Sequence, residues 1–126
     1  MSSPGHKTIL IVDNDRAEAD ALAQFIGNQG HRVLIAHDTE AGLDLSRKAS
    51  LDIILHDLDL PSIDGYMAAR LLRSDARFKM TLLFALTRQN TIADRERASL
   101  AGFDLHISRP IDFDALALIL GRAPHA

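Results

Sequence analysis

The sequence predicts an α/β domain built on a doubly wound parallel sheet, and three observations carry that expectation. Five short apolar runs do not alternate with polar residues, the mark of strands buried on both faces. A segment with helical spacing follows each run, giving five strand-helix pairs in order. The chain has 126 residues, of which 47% are hydrophobic and 25% charged, enough for one compact domain with a core and too few for two. Right-handed crossovers then put helices on both faces, and the arrangement expected is a flavodoxin-like (βα)5 domain with a five-stranded sheet in order 2-1-3-4-5.

Each element has its own signal. The apolar runs are ILIV (9–12), VLIA (33–36), IIL (53–55), LLFAL (82–86) and LHI (105–107). The first helix opens with Asp15 and Glu18 spaced as a capping box, carries Leu22, Phe25 and Ile26 on one face and stops at Gly30. The second repeats Ala41, Leu45 and Ala49 every four residues, and the third groups Ala68, Leu71 and Leu72. The fourth ends at Gly102; the fifth has Asp112 as N-cap for a face of Phe113, Leu116 and Leu120. Residues 1–6 form a polar head expected to be flexible, 7–121 the domain, and 122–126 a short tail.

Composition removes several function classes. The formal net charge is -3 and the arginines are scattered, so no electrostatic drive toward nucleic acid or an anionic membrane is expected. No cysteine is present, which excludes disulfide and thiolate chemistry and fits a reducing cytoplasm. No apolar stretch reaches the length of a membrane span. A soluble, cytoplasmic protein is the expectation.

In doubly wound sheets, sites form beyond the carboxyl ends of the strands near the topological switch, here between the first and third strands. Asp13 and Asn14 follow the first run, Asp57 the third, Thr87 the fourth, and Ser108 with Arg109 the fifth. Carboxylates at such a point hold a hard divalent cation such as Mg²⁺, and the cation neutralises incoming phosphate oxygens. A carboxylate beside it attacks phosphorus; a threonine hydroxyl and a guanidinium bind the transferred group. Singly, each residue has a plainer reading: Asp13 as a helix cap, Thr87 as a loop closer, Arg109 as a solvated cation. Asp57 is the least ambiguous, with Asp59 bordering the site and Asp64-Gly65 launching the third helix. His56 reads as a hydrogen-bonded core histidine.

These residues resemble the receiver domains of two-component response regulators over roughly Lys7 to Leu120. ILIVDND is similar to the family's first-strand acidic motif, DIILHDLDLPSIDGYMAARLLR to its phosphorylation segment, FALT to its fourth-strand hydroxyl motif, and AGFDLHISRPID to its fifth-strand lysine-proline motif. The resemblance implies that Asp57 accepts a phosphoryl group from a histidine kinase or phosphotransfer protein. It implies Mg²⁺ held by Asp13, Asn14, Asp57 and the backbone carbonyl of Asp59, with Thr87 and Arg109 on the phosphoryl group and His106 as the switching position. A cis Arg109-Pro110 bond is implied, as are Asp59 and Gln89 as tuners of the phosphoryl lifetime. The output surface would be the fourth helix, fifth strand and fifth helix, facing a downstream target protein; no direct nucleic-acid or membrane contact is expected.

The chain departs from the family at telling positions. Asn14 replaces a second acid, which weakens metal binding. Arg109 replaces lysine, a planar fork for a point charge. Arg88 follows Thr87 where a small residue is usual, and His106 stands where tyrosine or phenylalanine is usual. The expected function is a phosphoacceptor module, not a metabolic enzyme. Its rivals are a degenerate receiver that binds partners without phosphorylation, and a haloacid-dehalogenase-type phosphatase using the D-x-D of Asp57 and Asp59. After Leu120 only GRAPHA remains, which fits a single-domain receiver or one cut from a longer protein.

Overall fold

The computed structural model describes residues 6–59 and 65–124. Its elements are β1 (Thr8–Val12), α1 (Arg16–Asn28), β2 (Arg32–Ala36), α2 (Thr39–Lys48), β3 (Ile53–Asp57), α3 (Gly65–Arg73), β4 (Leu82–Thr87), α4 (Ile92–Ala101), β5 (Leu105–Ser108) and α5 (Phe113–Arg122). All strands pair in parallel in the order β2-β1-β3-β4-β5. The expected architecture and strand order are therefore correct. A short 3-10 turn at Ala76–Phe78, capped by Asp75, lies between α3 and β4 and had no signal in the apolar pattern.

Although the central strands are apolar throughout, their pleat divides them into two layers. Ile9 and Ile11 of β1 and Ile53 and Leu55 of β3 pack with Ala19, Leu22 and Ile26 of α1 and Leu116 and Leu120 of α5. Leu10, Val12 and Ile54 face the other way, against Ala69 and Leu72 of α3 and Ala98 and Ala101 of α4. Full burial of a leucine or isoleucine contributes about 1.5–3 kcal/mol, so these layers supply the main driving force for the sheet. Phe25 meets Phe113 edge-on at 5.0 Å between centroids, extending one layer toward α5.

Three helix faces differ in detail from the expected stripes. On α2 the buried residues are Thr39, Gly42 and Ser46, while Ala41, Leu45 and Ala49 are half-buried. The cause is a close approach: a Cβ on Gly42 would lie 2.7 Å from Val12 Cγ2, so the nearest face must be made of small residues. On α3, Leu71 points outward and Ala69 takes the inner position beside Ala68 and Leu72. On α1, Asp15 caps the helix by accepting from the Glu18 N–H, but the Glu18 side chain does not return to Asp15. The Asp15 N–H already donates to Asp13 Oδ1 at 2.9 Å, so the reciprocal half of a capping box has no donor left to satisfy. Among the described residues a capping box is found on α4, between Thr91 and Asp94.

The ends that launch and stop helices follow the expectation. Asp112 caps α5, and Gly102 ends α4 with a φ of 118°, a conformation that favours glycine. Gly65 begins α3; Asp64 lies outside the described residues.

Candidate functional site

Asp13, Asp57, Thr87 and Arg109 come together at the carboxyl edge of the sheet, around the switch between β1 and β3. Asp57 is the last residue of β3 and is almost wholly buried. Its Oδ1 accepts from the Asp59 N–H at 2.7 Å and from Arg109 Nη1 at 3.0 Å. Its Oδ2 has no hydrogen bond among the described residues. Asp57 lines a cavity of about 150 Å³ together with Asn14, Asp15, Glu18, Asp59, Arg88 and Arg109.

Arg109 is the centre of the network, with a side chain only 7% exposed. One edge of its guanidinium grips Glu18: Nε lies 3.0 and 3.2 Å from the two carboxylate oxygens, and Nη2 lies 2.6 Å from Oε1. The opposite nitrogen, Nη1, reaches Asp57 Oδ1, Asp59 Oδ2 at 2.8 Å and the Leu86 carbonyl at 3.2 Å. Asp13 Oδ2 sits 3.5 Å from Nη2. A lysine ammonium projects its donors from one point; the guanidinium fork spans acids on two sides, which is what this arrangement uses. Burial opposes the charge on Arg109, but Glu18 and Asp57 outweigh it and hold the guanidinium more firmly protonated than usual.

Asp13 is under the opposite pressure. Burial, the shared hydrogen bond and charge of Glu18, and the charge of Asp57 push its carboxyl up to about 8, against a lowering contribution from the Asp15 N–H. Glu18 is held below the ordinary carboxylate range: burial resists, but hydrogen bonds from Arg109 and Asp13 prevail. Asp13 Oδ2 itself is buried with no hydrogen bond of normal geometry.

Thr87 and Asp59 are bonded to each other. The Thr87 hydroxyl donates to Asp59 Oδ1 at 2.8 Å and accepts from the Gln89 N–H at 3.0 Å. The Arg88 N–H donates to Asp59 Oδ2 at 3.0 Å, while the exposed Arg88 side chain lines the cavity. Asp59, which lines the cavity, accepts from Thr87, Arg88 and Arg109 together. Asn14 is exposed at the cavity rim. Glu18 was not singled out from the sequence as a site residue. An acid one helical turn into α1 points back toward the strand ends, and that spacing was the available signal.

His56 is a hydrogen-bonded core histidine, as expected: its ring lies 2.9 Å from the Asp57 carbonyl and 3.3 Å from Thr39 Oγ1. Burial lowers its pKa. His106 lines a separate cavity of about 190 Å³ with Arg95, Ser99 and Phe103, and its ring nitrogens are buried without a hydrogen bond of normal geometry. Burial, then the Arg95 charge, lowers its pKa. The Arg109-Pro110 peptide bond is cis.

Comparison with known proteins agrees with this geometry. Residues 9–120 match the model of the response regulator receiver domain. The chain belongs to that family. It is 29% identical to PilH of Pseudomonas aeruginosa over 108 residues, covering 86% of this chain and 89% of PilH. It is 31% identical to the virulence sensor protein BvgS of Bordetella pertussis over 120 residues, 91% of this chain but only 10% of BvgS. The chain therefore spans about a tenth of BvgS. Among solved structures, the receiver domain of a sensor histidine kinase from Pseudomonas aeruginosa has a TM-score of 0.84 and 27% identity, covering 94% of this chain and 97% of that one; it holds a magnesium ion in its active-site cleft. The chemotaxis protein CheY4 of Vibrio cholerae has a TM-score of 0.88 at 21% identity, covering 94% of this chain and 99% of that one, a likeness of fold.

Magnesium is thus present in a receiver relative, and two carboxylate oxygens here are open to such an ion: Asp13 Oδ2 is buried without a hydrogen bond, and the hydrogen bonds of Asp57 fall on Oδ1. Arg109 takes Asp57 Oδ1 and Asp59 Oδ2, and Thr87 takes Asp59 Oδ1, while the ligand expected at Asp59 is its backbone carbonyl. Among the described residues, no cluster of three acids or histidines is arranged to hold a metal ion. No helix among the described residues is long and apolar enough to cross a membrane.

Proposed function

We propose that this receiver is a phosphoacceptor module of a two-component phosphorelay and that Asp57 carries the phosphoryl group. The observation that carries the reading is the state of Asp57: Oδ1 is pinned by Asp59 and Arg109, while Oδ2 has no described partner and the residue lines a cavity. In transfer from a partner's phosphohistidine, Oδ2 attacks phosphorus, the O–P bond forms and the P–N bond breaks. The leaving imidazole nitrogen keeps the electron pair and takes a proton from solvent. Arg88 and Arg109 line the cavity and supply cationic donors to the phosphoryl oxygens.

The donor of the phosphoryl group is a histidine kinase or phosphotransfer protein, which implies a cytoplasmic setting. For Thr87 to meet the phosphoryl group its hydroxyl must leave Asp59, and that movement would be felt at His106 on the adjacent strand. The downstream target protein would read the face of α4, β5 and α5, where Ile92, Leu100 and Leu118 are exposed. Asp59 and Gln89 border the path of hydrolytic water and would set the lifetime of the adduct. The phosphatase reading lacks support: as a general acid Asp59 would need a free oxygen, yet both of its oxygens accept hydrogen bonds.

The test is incubation with acetyl phosphate, with and without added Mg²⁺, followed by intact-mass measurement. The expected result is one added phosphoryl group on the wild type and none on Asp57→Asn. If no Asp57-dependent adduct forms under either condition, the module works through protein contacts alone.

A further inference from the structure

We propose that a cavity at the amino edge of the sheet, opposite Asp57, binds a small organic phosphate ester. Its volume is about 460 Å³, about three times that of the cavity at Asp57, and small-molecule sites typically span about 300–1,000 Å³. Leu51 and Thr81, which precede β3 and β4, line it with Phe78, and all three are buried. Arg47 and Lys48 reach it from the last turn of α2, and Arg77 from the short turn before β4. Although the whole chain has 17 acids against 14 lysines and arginines, this lining holds three cations and no acid. A multiply charged oxyanion complements such an excess, and two planar guanidinium forks beside an ammonium suit a phosphate dianion.

These donors are held in place but not used up. Asp75 accepts from Arg77 Nε at 3.2 and 3.1 Å and from Nη2 at 2.6 Å, and the guanidinium carbon lies 5.5 Å from the centroid of the Phe78 ring. Arg77 Nη1 has no hydrogen bond among the described residues. Arg47 pairs with Asp44 through Nη1 alone, at 3.1 Å. Lys48 has no ion pair among the described residues. Neither Asp44 nor Asp75 lines the cavity. Two cations in the last turn of α2 also offset the negative end of that helix, but Arg77 belongs to a separate three-residue turn with little dipole of its own.

An apolar group has a place beside the anionic head. A smaller cavity of about 50 Å³ shares Ser46, Arg47, Arg77 and Phe78 with the first and continues to Leu43 and Leu71, the latter 53% exposed on α3. Asp75 also lines this smaller cavity, with its carboxylate engaged by Arg77. The ligand class is therefore a phosphate monoester of a compact apolar group: the dianion meets Arg47, Lys48 and Arg77, and the apolar group lies toward Leu71. Asp57 and Thr87 close the far ends of β3 and β4, so this site stands apart from the phosphoacceptor reading.

The experiment titrates phenyl phosphate, without Mg²⁺, into the uniformly ¹⁵N-labelled full chain, with inorganic phosphate and benzoate in parallel. The amides of Lys48, Ser50, Leu51, Arg77 and Phe78 are followed. The expected result is saturable shifts of these amides by phenyl phosphate with a dissociation constant at or below about 5 mM. Inorganic phosphate lacks the apolar group and benzoate the second charge, so each should bind at least about threefold more weakly. Lys48→Gln and Arg77→Gln should each weaken phenyl phosphate at least about threefold. The Lys48 variant removes no contact of the fold and remains readable if the Arg77 variant does not fold. Lys79→Gln removes an exposed cation that does not line the cavity and should leave the affinity unchanged.

Absence of a saturable shift, or shifts confined to the Asp57 cavity, would overturn the proposal. So would equal affinity for inorganic phosphate or benzoate, wild-type affinity in Lys48→Gln and Arg77→Gln, or a loss in Lys79→Gln as large as in Lys48→Gln. Asp57→Asn should bind phenyl phosphate as the wild type does, so failure of the phosphoacceptor reading and failure of this site are read separately.

Discussion

Asp13 is a carboxyl held in its neutral form by its surroundings, and the sign of the consequence follows from linkage. Its native pKa of about 8 lies above the ordinary 3.8. Below the lower value both states carry the proton. As pH rises between the two, the unfolded chain releases it and the native protein keeps it, so this group's contribution to stability falls until about pH 8. Asp13→Asn keeps a carbonyl oxygen for the Asp15 N–H and has no proton to lose. Near pH 8 it should unfold about 3–6 °C above the wild type by circular dichroism, a gain of roughly 1 kcal/mol, and near pH 5 the advantage should shrink. An equal or lower midpoint near pH 8 would mean that Asp13 is ionised in the native protein. The positions of Asp13 and Asp57 were legible because a strand end is a backbone property that the apolar runs delimit. The partnership of Glu18 with Arg109 was not. The two lie 91 positions apart, and the capping-box spacing offered a local explanation that only the Asp13–Asp15 hydrogen bond removes.

Among elements, the end of α3 is secured by one side chain. Arg73 Nε donates to the Gly102 carbonyl at 2.9 Å, and Nη1 donates to Phe78 and Thr81 carbonyls at 3.0 and 2.7 Å. Nη2 pairs with Asp104, whose carboxylate also accepts the Leu83 N–H. One guanidinium thus joins α3 to the end of α4, the turn before β4 and the start of β5. Arg73→Lys keeps the charge but cannot serve those directions at once, and should cost about 1.5–3 kcal/mol in urea unfolding, with Arg73→Ala at or above the upper figure. A loss below about 0.5 kcal/mol would class the contacts as ordinary surface pairs. Helices as elements were legible from caps and spacing, down to Asp112 and Gly102. Their faces were less so where packing is closest: Gly42 and Ser46 meet the sheet on α2 because they are small, and an apolar-periodicity reading favours the larger neighbours.

For the molecule as a whole, two kinds of cohesion separate by location. The apolar layers on either side of the sheet specify the fold, and they were legible because uninterrupted apolar strands admit few alternatives to a parallel sheet covered on both faces. At the carboxyl edge the cohesion is ionic, and Arg109 joins the loop after β5 to α1, β3 and the loop after it. A buried ion pair costs desolvation, so its presence alone says little about stability; the coupling between its members says more. A double-mutant cycle with Glu18→Gln and Arg109→Gln, each measured by urea unfolding near neutral pH, should give a coupling of about 1.5–3 kcal/mol, the range for hydrogen bonds to charged groups. Arg109→Gln alone should cost more than Glu18→Gln, because it also leaves Asp57 and Asp59 without their shared donor. As pH falls through the depressed pKa of Glu18 the coupling should vanish, since the stability gained by a carboxylate with a lowered pKa is lost on protonation. A coupling below about 0.5 kcal/mol near neutral pH would mean that Asp57 and Asp59 hold the guanidinium unaided, and that the grip of Glu18 contributes nothing to the closed edge.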